Sequence, residues 1–275
     1  MIVNIKKLVL GLLFLFLLSP YPLLAHCIEG DCMNGQGKRR FPDGTVHVGA
    51  WKDGKRDGRG VTTYPDGEMH EGEWRDGIKQ GPGTITKPDG TRYEVTFKDG
   101  RFQGRGKISM PNGKVYTGDI KDGAPHGQGK MIYPNGITYE GRWEKGKRQG
   151  YGIIDYPQGE RYEGQWQVGV PGGEGIMFHS DGGRYEGHFE NGKFHGQGTM
   201  AYPNGDRYVG QWQDGIPKGQ GTMTYADGSK YVGEFQKGRP HGKGVLTFQD
   251  GREFKGRFEK GKYVREGTQE ESGEK

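Results

Sequence analysis

The sequence predicts an all-β protein: an elongated, twisted, single-layer antiparallel sheet assembled from 23-residue β-hairpin repeats. Three observations carry that prediction. The stretch 137–159, ITYEGRWEKGKRQGYGIIDYPQG, recurs with a fixed period of 23 through nine gapless windows: 45–67, 68–90, 91–113, 114–136, 137–159, 160–182, 183–205, 206–228 and 229–251. Within the unit, Tyr139, Gly141 and Trp143 lie two apart, as do Gly150, Gly152, Ile154 and Tyr156, so each run presents one face of an extended strand. After the second run comes Pro157-Gln158-Gly159, and most copies read Pro-Asp-Gly or Pro-Asn-Gly, with proline pre-setting φ and glycine free to take φ > 0.

In chain order, residues 1–25 come first. A short basic head (MIVNIKK), an apolar run of 11 residues and the small Ala25 predict a secretory signal peptide, with the mature chain starting near His26. The alternative is an uncleaved N-terminal membrane anchor, although the run is short for a span and Pro20 and Pro22 interrupt it. Lipidation of Cys27 would need a small residue where His26 stands. Residues 26–44 form an N-terminal cap and a partial repeat. Cys27 and Cys32, the only cysteines, suggest a local disulfide in an oxidising compartment; two free thiols or half of a metal site are the competing readings. The nine full repeats fill 45–251, a partial copy occupies 252–267, and the polar 268–275 reads as a disordered tail.

The pattern Y-x-G-x-W-x-x-G-(x)3-G-x-G-(x)3-Y-P-D-G resembles the MORN repeat family, and the resemblance covers nearly all of the chain after residue 30. It implies a repeats-only protein whose partners are other proteins, copies of itself, or acidic phospholipid. In MORN-containing kinases and methyltransferases catalysis sits in a separate domain, and the repeats here leave no room for one.

Composition alone points elsewhere: 55 glycines in 275 residues and a mean hydropathy of −0.93 suggest disorder. The period overrules it, because 24 of the 29 aromatics after residue 25 occupy three slots of the repeat, including all five tryptophans. The glycines between them leave shallow floors over which rings can lie, and the rings are expected to stack as ladders. The regularity is interrupted where His47 and His70 replace the first tyrosine, Ile120 the tryptophan, and Val95 a glycine. Without Lys6 and Lys7, 38 basic residues face 35 acidic ones, a nearly balanced surface that argues against nucleic acid.

No catalytic constellation emerges. Ten G-x-G pairs lie inside strands with no helix after them, so they lack the geometry that cradles phosphate, and no cofactor is implied. His126, His195 and His241 share a slot but lie roughly 30 and 20 Å apart at two strands per repeat, too far for one metal. The expectation is a non-catalytic binding or scaffold protein acting by protein–protein contact in the cell envelope or outside the cell. The alternatives are peripheral binding to acidic phospholipid and glycan binding. Lipid binding is expected to be weak, since Lys38-Arg39-Arg40 and Lys145 to Arg148 are the evident basic clusters and acidic residues lie near them. Two surfaces are candidates. If the aromatic face stays open, the partner groove runs along Tyr139, Trp143, Tyr162, Trp166, Tyr185, Tyr208 and Trp212; if it closes, the same rings hold the hairpins together. The C-terminal end at Phe254, Gly256 and Phe258 is the candidate for self-association into a homo-oligomer.

Overall fold

The computed structural model describes residues 26–264. The signal-peptide reading of 1–25 and the tail reading of 268–275 lie outside the described residues. Those described contain no helix. They form one 22-stranded antiparallel sheet, numbered β1 to β22 in chain order, in which every strand pairs with its sequence neighbours.

The hairpin at 138–155 shows how the sequence makes the unit. Strand β11 (Thr138–Glu144) and strand β12 (Lys147–Asp155) are joined by Lys145-Gly146 alone. Both linking residues have positive φ (48° and 77°), as a two-residue type I′ turn requires, and glycine holds the second place in every copy. EKGKRQ is therefore mostly strand, not a loop. The register then slips: Gly141 pairs with Gly152, but Trp143 pairs with Arg148. Gly150, at φ 64°, absorbs the extra residues as a bulge, which bends the hairpin.

The return turn is equally determined. The Gly159 N–H donates to the Tyr156 carbonyl and the Tyr156 N–H to Glu160, so Pro157-Gln158-Gly159 forms a type I turn closed by a left-handed glycine. In most copies the aspartate or asparagine before that glycine accepts the N–H two residues on, as Asp66 does from Glu68 and Asp227 from Ser229 at 2.8–3.0 Å. That side-chain acceptor is the physical reason the turns read Pro-Asx-Gly.

The core is a single row of rings. The seven aromatics of the expected open groove are all buried: Tyr139, Tyr162, Tyr185 and Tyr208 at 0 % exposure, Trp143, Trp166 and Trp212 at 2–4 %. The open-groove expectation is corrected on this point, because the bulge folds each hairpin onto its own ring face. Residues in the Arg148 slot close over the rings: Arg148 lies 4.2 Å above the Trp166 ring, and Phe194 stacks on Tyr185 at 3.7 Å. Nor do the main-row rings stack as ladders. From Tyr139 to Tyr231 each tyrosine of the row meets the tryptophan or phenylalanine of its own repeat and of the next edge-on, as Tyr139 does with Trp143 (5.0 Å, 87°) and Trp166 (5.2 Å, 85°). Such edge-to-face pairs contribute about 0.5–1.5 kcal/mol each beyond area burial.

Val95 shows what the glycine floor is for. It occupies a slot that is glycine elsewhere and is itself buried against Gly106. Tyr93 is displaced accordingly: its hydroxyl donates to Gly123, whereas the regular tyrosines reach the carbonyl three residues on.

Candidate interaction surfaces

Hydrogen bonds lock the ring row. The Tyr139, Tyr162, Tyr208 and Tyr231 hydroxyls donate to the carbonyls of Arg142, Gln165, Gln211 and Glu234 at 2.7–3.0 Å. The Trp143, Trp166 and Trp212 indole N–H groups donate back to Gly129, Gly152 and Gly198 in the preceding repeat. Tyrosine thus ties a repeat to itself and tryptophan ties it to its predecessor. Burial pushes the Tyr139 and Tyr208 phenols up to about 12, so they remain donors across the physiological range. A partner can reach this row only at its ends or where it is irregular.

At the N-terminal end, β1 (His26–Gly30) pairs with β2 (Gln36–Arg40), and a disulfide joins Cys27 to Cys32. Cys32 is buried, and a Cβ placed on Gly37 would meet its Sγ at 2.8 Å. Gly37 holds the same slot as Gly152, so the cysteine sulfur occupies the seat a tyrosine ring fills elsewhere. Arg39 closes the cap, donating to the Cys32 and Gly54 carbonyls while lying 4.5 Å over Trp51.

The first two full repeats carry histidine in the tyrosine seat. His47 is fully buried, edge-on to Trp51 and Trp74, with Nδ1 2.8 Å from the Thr62 hydroxyl and Nε2 without a partner among the described residues. Burial, with the nearby Arg56 charge, pulls it down to about 4. His70 is held by Glu68 and contacts Lys79, whose ammonium burial lowers to about 8. A histidine that ionises near 6.5 when unfolded but near 4 when folded stabilises the fold fully above pH 6.5. That stability is lost as pH falls from 6.5 toward 4, a change of roughly 3 kcal/mol. Hydrogen exchange of the amides in β3 (Val46–Lys52) and β4 (Lys55–Thr63) should therefore accelerate between pH 7 and pH 4.5, after correction for intrinsic rates, relative to the 160–230 region. His47→Phe should remove most of that difference; an unchanged difference would place the acid sensitivity elsewhere.

The three residues of the C-terminal candidate end fare differently. Phe258 is buried at 2 %, paired with Tyr263 across β21 (Glu253–Glu259) and β22 (Lys262–Val264). Gly256 lies under the Tyr263 ring. Phe254 is 42 % exposed and stacks on Tyr263, itself 39 % exposed, at 5.4 Å. The apolar end is thus Phe254 with Tyr263. Tyr263 was missed at the sequence level, although it sits in the same slot as Phe102 and Phe194, which was the available signal.

The opposite face of the sheet is wet. Its cross-strand partners include Lys130 with Glu140 and Lys107 with Glu94. Over 36–106 it forms an open groove of about 790 Å³ whose rim carries Arg59, Arg92, Arg105, Glu71, Glu73 and Glu94. Exposed ion pairs of this kind contribute a few tenths of a kcal/mol. Among the described residues no group of three or more His, Cys, Asp or Glu side chains is placed to hold a metal ion.

Comparison with known families gives ten consecutive matches to the MORN repeat, at 33–46, 47–69, 70–92, 93–115, 116–138, 139–161, 162–184, 185–207, 208–230 and 231–251. No curated protein matches the chain. Among solved structures, it is similar to the SAS-4 (dCPAP) TCP domain of Drosophila melanogaster in complex with a proline-rich motif of Ana2 (dSTIL). That likeness has 14% identity and a TM-score of 0.28, over 65% of this chain and 85% of that one. The wild-type TCP10 domain of Danio rerio CPAP is similar at 15% identity and a TM-score of 0.30, over 83% and 97%. Likenesses this loose carry no argument about function.

Proposed function

The chain belongs to the MORN repeat family, and from that premise we propose that it is a non-catalytic scaffold: a repeat ribbon that binds protein partners, other copies of itself included, in the cell envelope or outside the cell. The observation that carries this reading is the exposed Phe254–Tyr263 pair closing an otherwise buried ring row. Exposed aromatic rings beside a partly paired strand are a ready template for a homotypic contact. Export is supported by the basic-apolar head of the sequence and by the Cys27–Cys32 disulfide, a bond that persists in oxidising compartments.

Light scattering tests the end contact. At 300 mM salt, which screens contacts between charges, the native protein should show a mass above monomer that falls to monomer in a Phe254→Ser, Tyr263→Ser variant, without any change in the circular dichroism of the sheet. A monomeric native protein, or an oligomer untouched by the two substitutions, would remove the C-terminal end as the contact. Intact-mass measurement on the native protein tests export separately, since cleavage near His26 predicts the loss of residues 1–25.

A further inference from the structure

The meander sorts the turns onto two long edges. Every x-Gly turn that joins an odd strand to the next even one lies on one edge, and each is hydrogen-bonded to the strand leaving the turn before it: Gly169 donates to Arg148, Gly192 to Pro171 and Gly215 to Phe194. Every return turn of the Pro-Asx-Gly type lies on the other edge, most of its glycines near the following turn, as Gly113 and Gly136 are against Pro134 and Pro157. The charges are sorted with them. The ten six-residue segments at the hairpin tips, the equivalents of 144–149, carry 17 lysines and arginines against nine aspartates and glutamates, net +8. The ten five-residue return turns, the equivalents of 156–160, carry three basic against nine acidic residues, net −6. The near-neutral total hides a ribbon with one basic and one acidic margin.

The two margins do not neutralise each other. From the bend at Gly150 to the return turn the strand Lys147–Asp155 runs for six residues, roughly 17–20 Å and about two Debye lengths at physiological salt. Both edges belong to the same repeats and so share one pitch, roughly 10 Å per repeat. A basic edge of one copy laid beside the acidic edge of another keeps charge against charge in register along its length. We infer that the hairpin-tip edge of one copy docks along the Pro-Asx-Gly edge of a second copy, so that ribbons associate side by side. The contact is heterologous and leaves an unused edge on each outer ribbon, so association continues beyond a pair. It goes beyond the end contact proposed above and does not rest on it.

Sedimentation velocity of the native protein at 50 and 300 mM salt tests this, together with two charge variants. One variant reverses four charges on two tips: Lys145→Asp, Lys147→Glu, Lys237→Asp and Arg239→Glu, with aspartate placed only at turn positions where other repeats already use it. The other converts four return-turn carboxylates to amides: Asp66→Asn, Asp181→Asn, Asp227→Asn and Glu160→Gln, which keeps the side-chain acceptors of those turns. The native protein should form species larger than dimers at 50 mM salt, at least tenfold weaker at 300 mM, and each variant should weaken assembly at low salt at least tenfold. An apolar end contact would survive the salt and both variants, so the two contacts fail separately. A native protein with no salt-sensitive association would overturn the inference. So would a native protein that binds vesicles of phosphatidylserine and phosphatidylcholine without self-associating and loses that binding only in the tip variant, because the basic edge would then face lipid.

Discussion

Trp166→Ala is expected to cost roughly 4 kcal/mol, a large fraction of a typical domain stability of about 5–15 kcal/mol. The ring is 2 % exposed, lies edge-on to Tyr139 and Tyr162 and sits beneath the Arg148 guanidinium. Its indole N–H satisfies the Gly152 carbonyl at 3.1 Å, so truncation leaves both a cavity and a buried acceptor without its partner. Contacts in a repeat array reach only neighbouring units, so the break should be local before it is global. Thermal melts should split into two transitions, for the repeats before and after Trp166, and amides in β13 (Arg161–Gln167) should lose exchange protection first. Any binding activity should fall in step with folding. A melting temperature near that of the native protein would mean that the ring faces solvent, and would restore the aromatic strip as a groove.

Gly152→Ala adds a single methyl group and should still destabilise by roughly 3 kcal/mol, the upper end for overpacking. A Cβ there would lie 2.3 Å from the Tyr139 hydroxyl oxygen and 2.6 Å from Cζ. The ring has no room to retreat, because Trp143 and Trp166 flank it and its hydroxyl is tied to Arg142. The displaced Tyr93 beside Val95 is a native example of the same conflict resolved by moving the ring. A double-mutant cycle with Tyr139→Val checks the cause: with the ring gone, the alanine should cost less than 1 kcal/mol, a strong non-additivity. Additive costs would place the strain in the backbone instead.

Turns, strands and repeat boundaries were legible because local chemistry imposes them. A left-handed position demands glycine, a side-chain acceptor demands Asp or Asn, and a period of two assigns side chains to faces. The disulfide was one of several open readings from spacing. Its place in the tyrosine seat was not visible, because Cys32 stands five residues before Gly37 and the slot appears only once the first hairpin is paired.

The 23-residue period and its motif by themselves determined the all-β hairpin array and the family. Whether the aromatic face is open or closed was decided only by the tertiary structure. Alternation says which side chains share a face; it does not say that a two-residue slip at Gly150 bends that face onto itself and covers the rings with the Arg148 slot. The charge of the edges was decided the same way. The sequence reads nearly neutral because basic and acidic segments alternate along the chain, and the meander separates them by sending every odd turn to one margin and every even turn to the other.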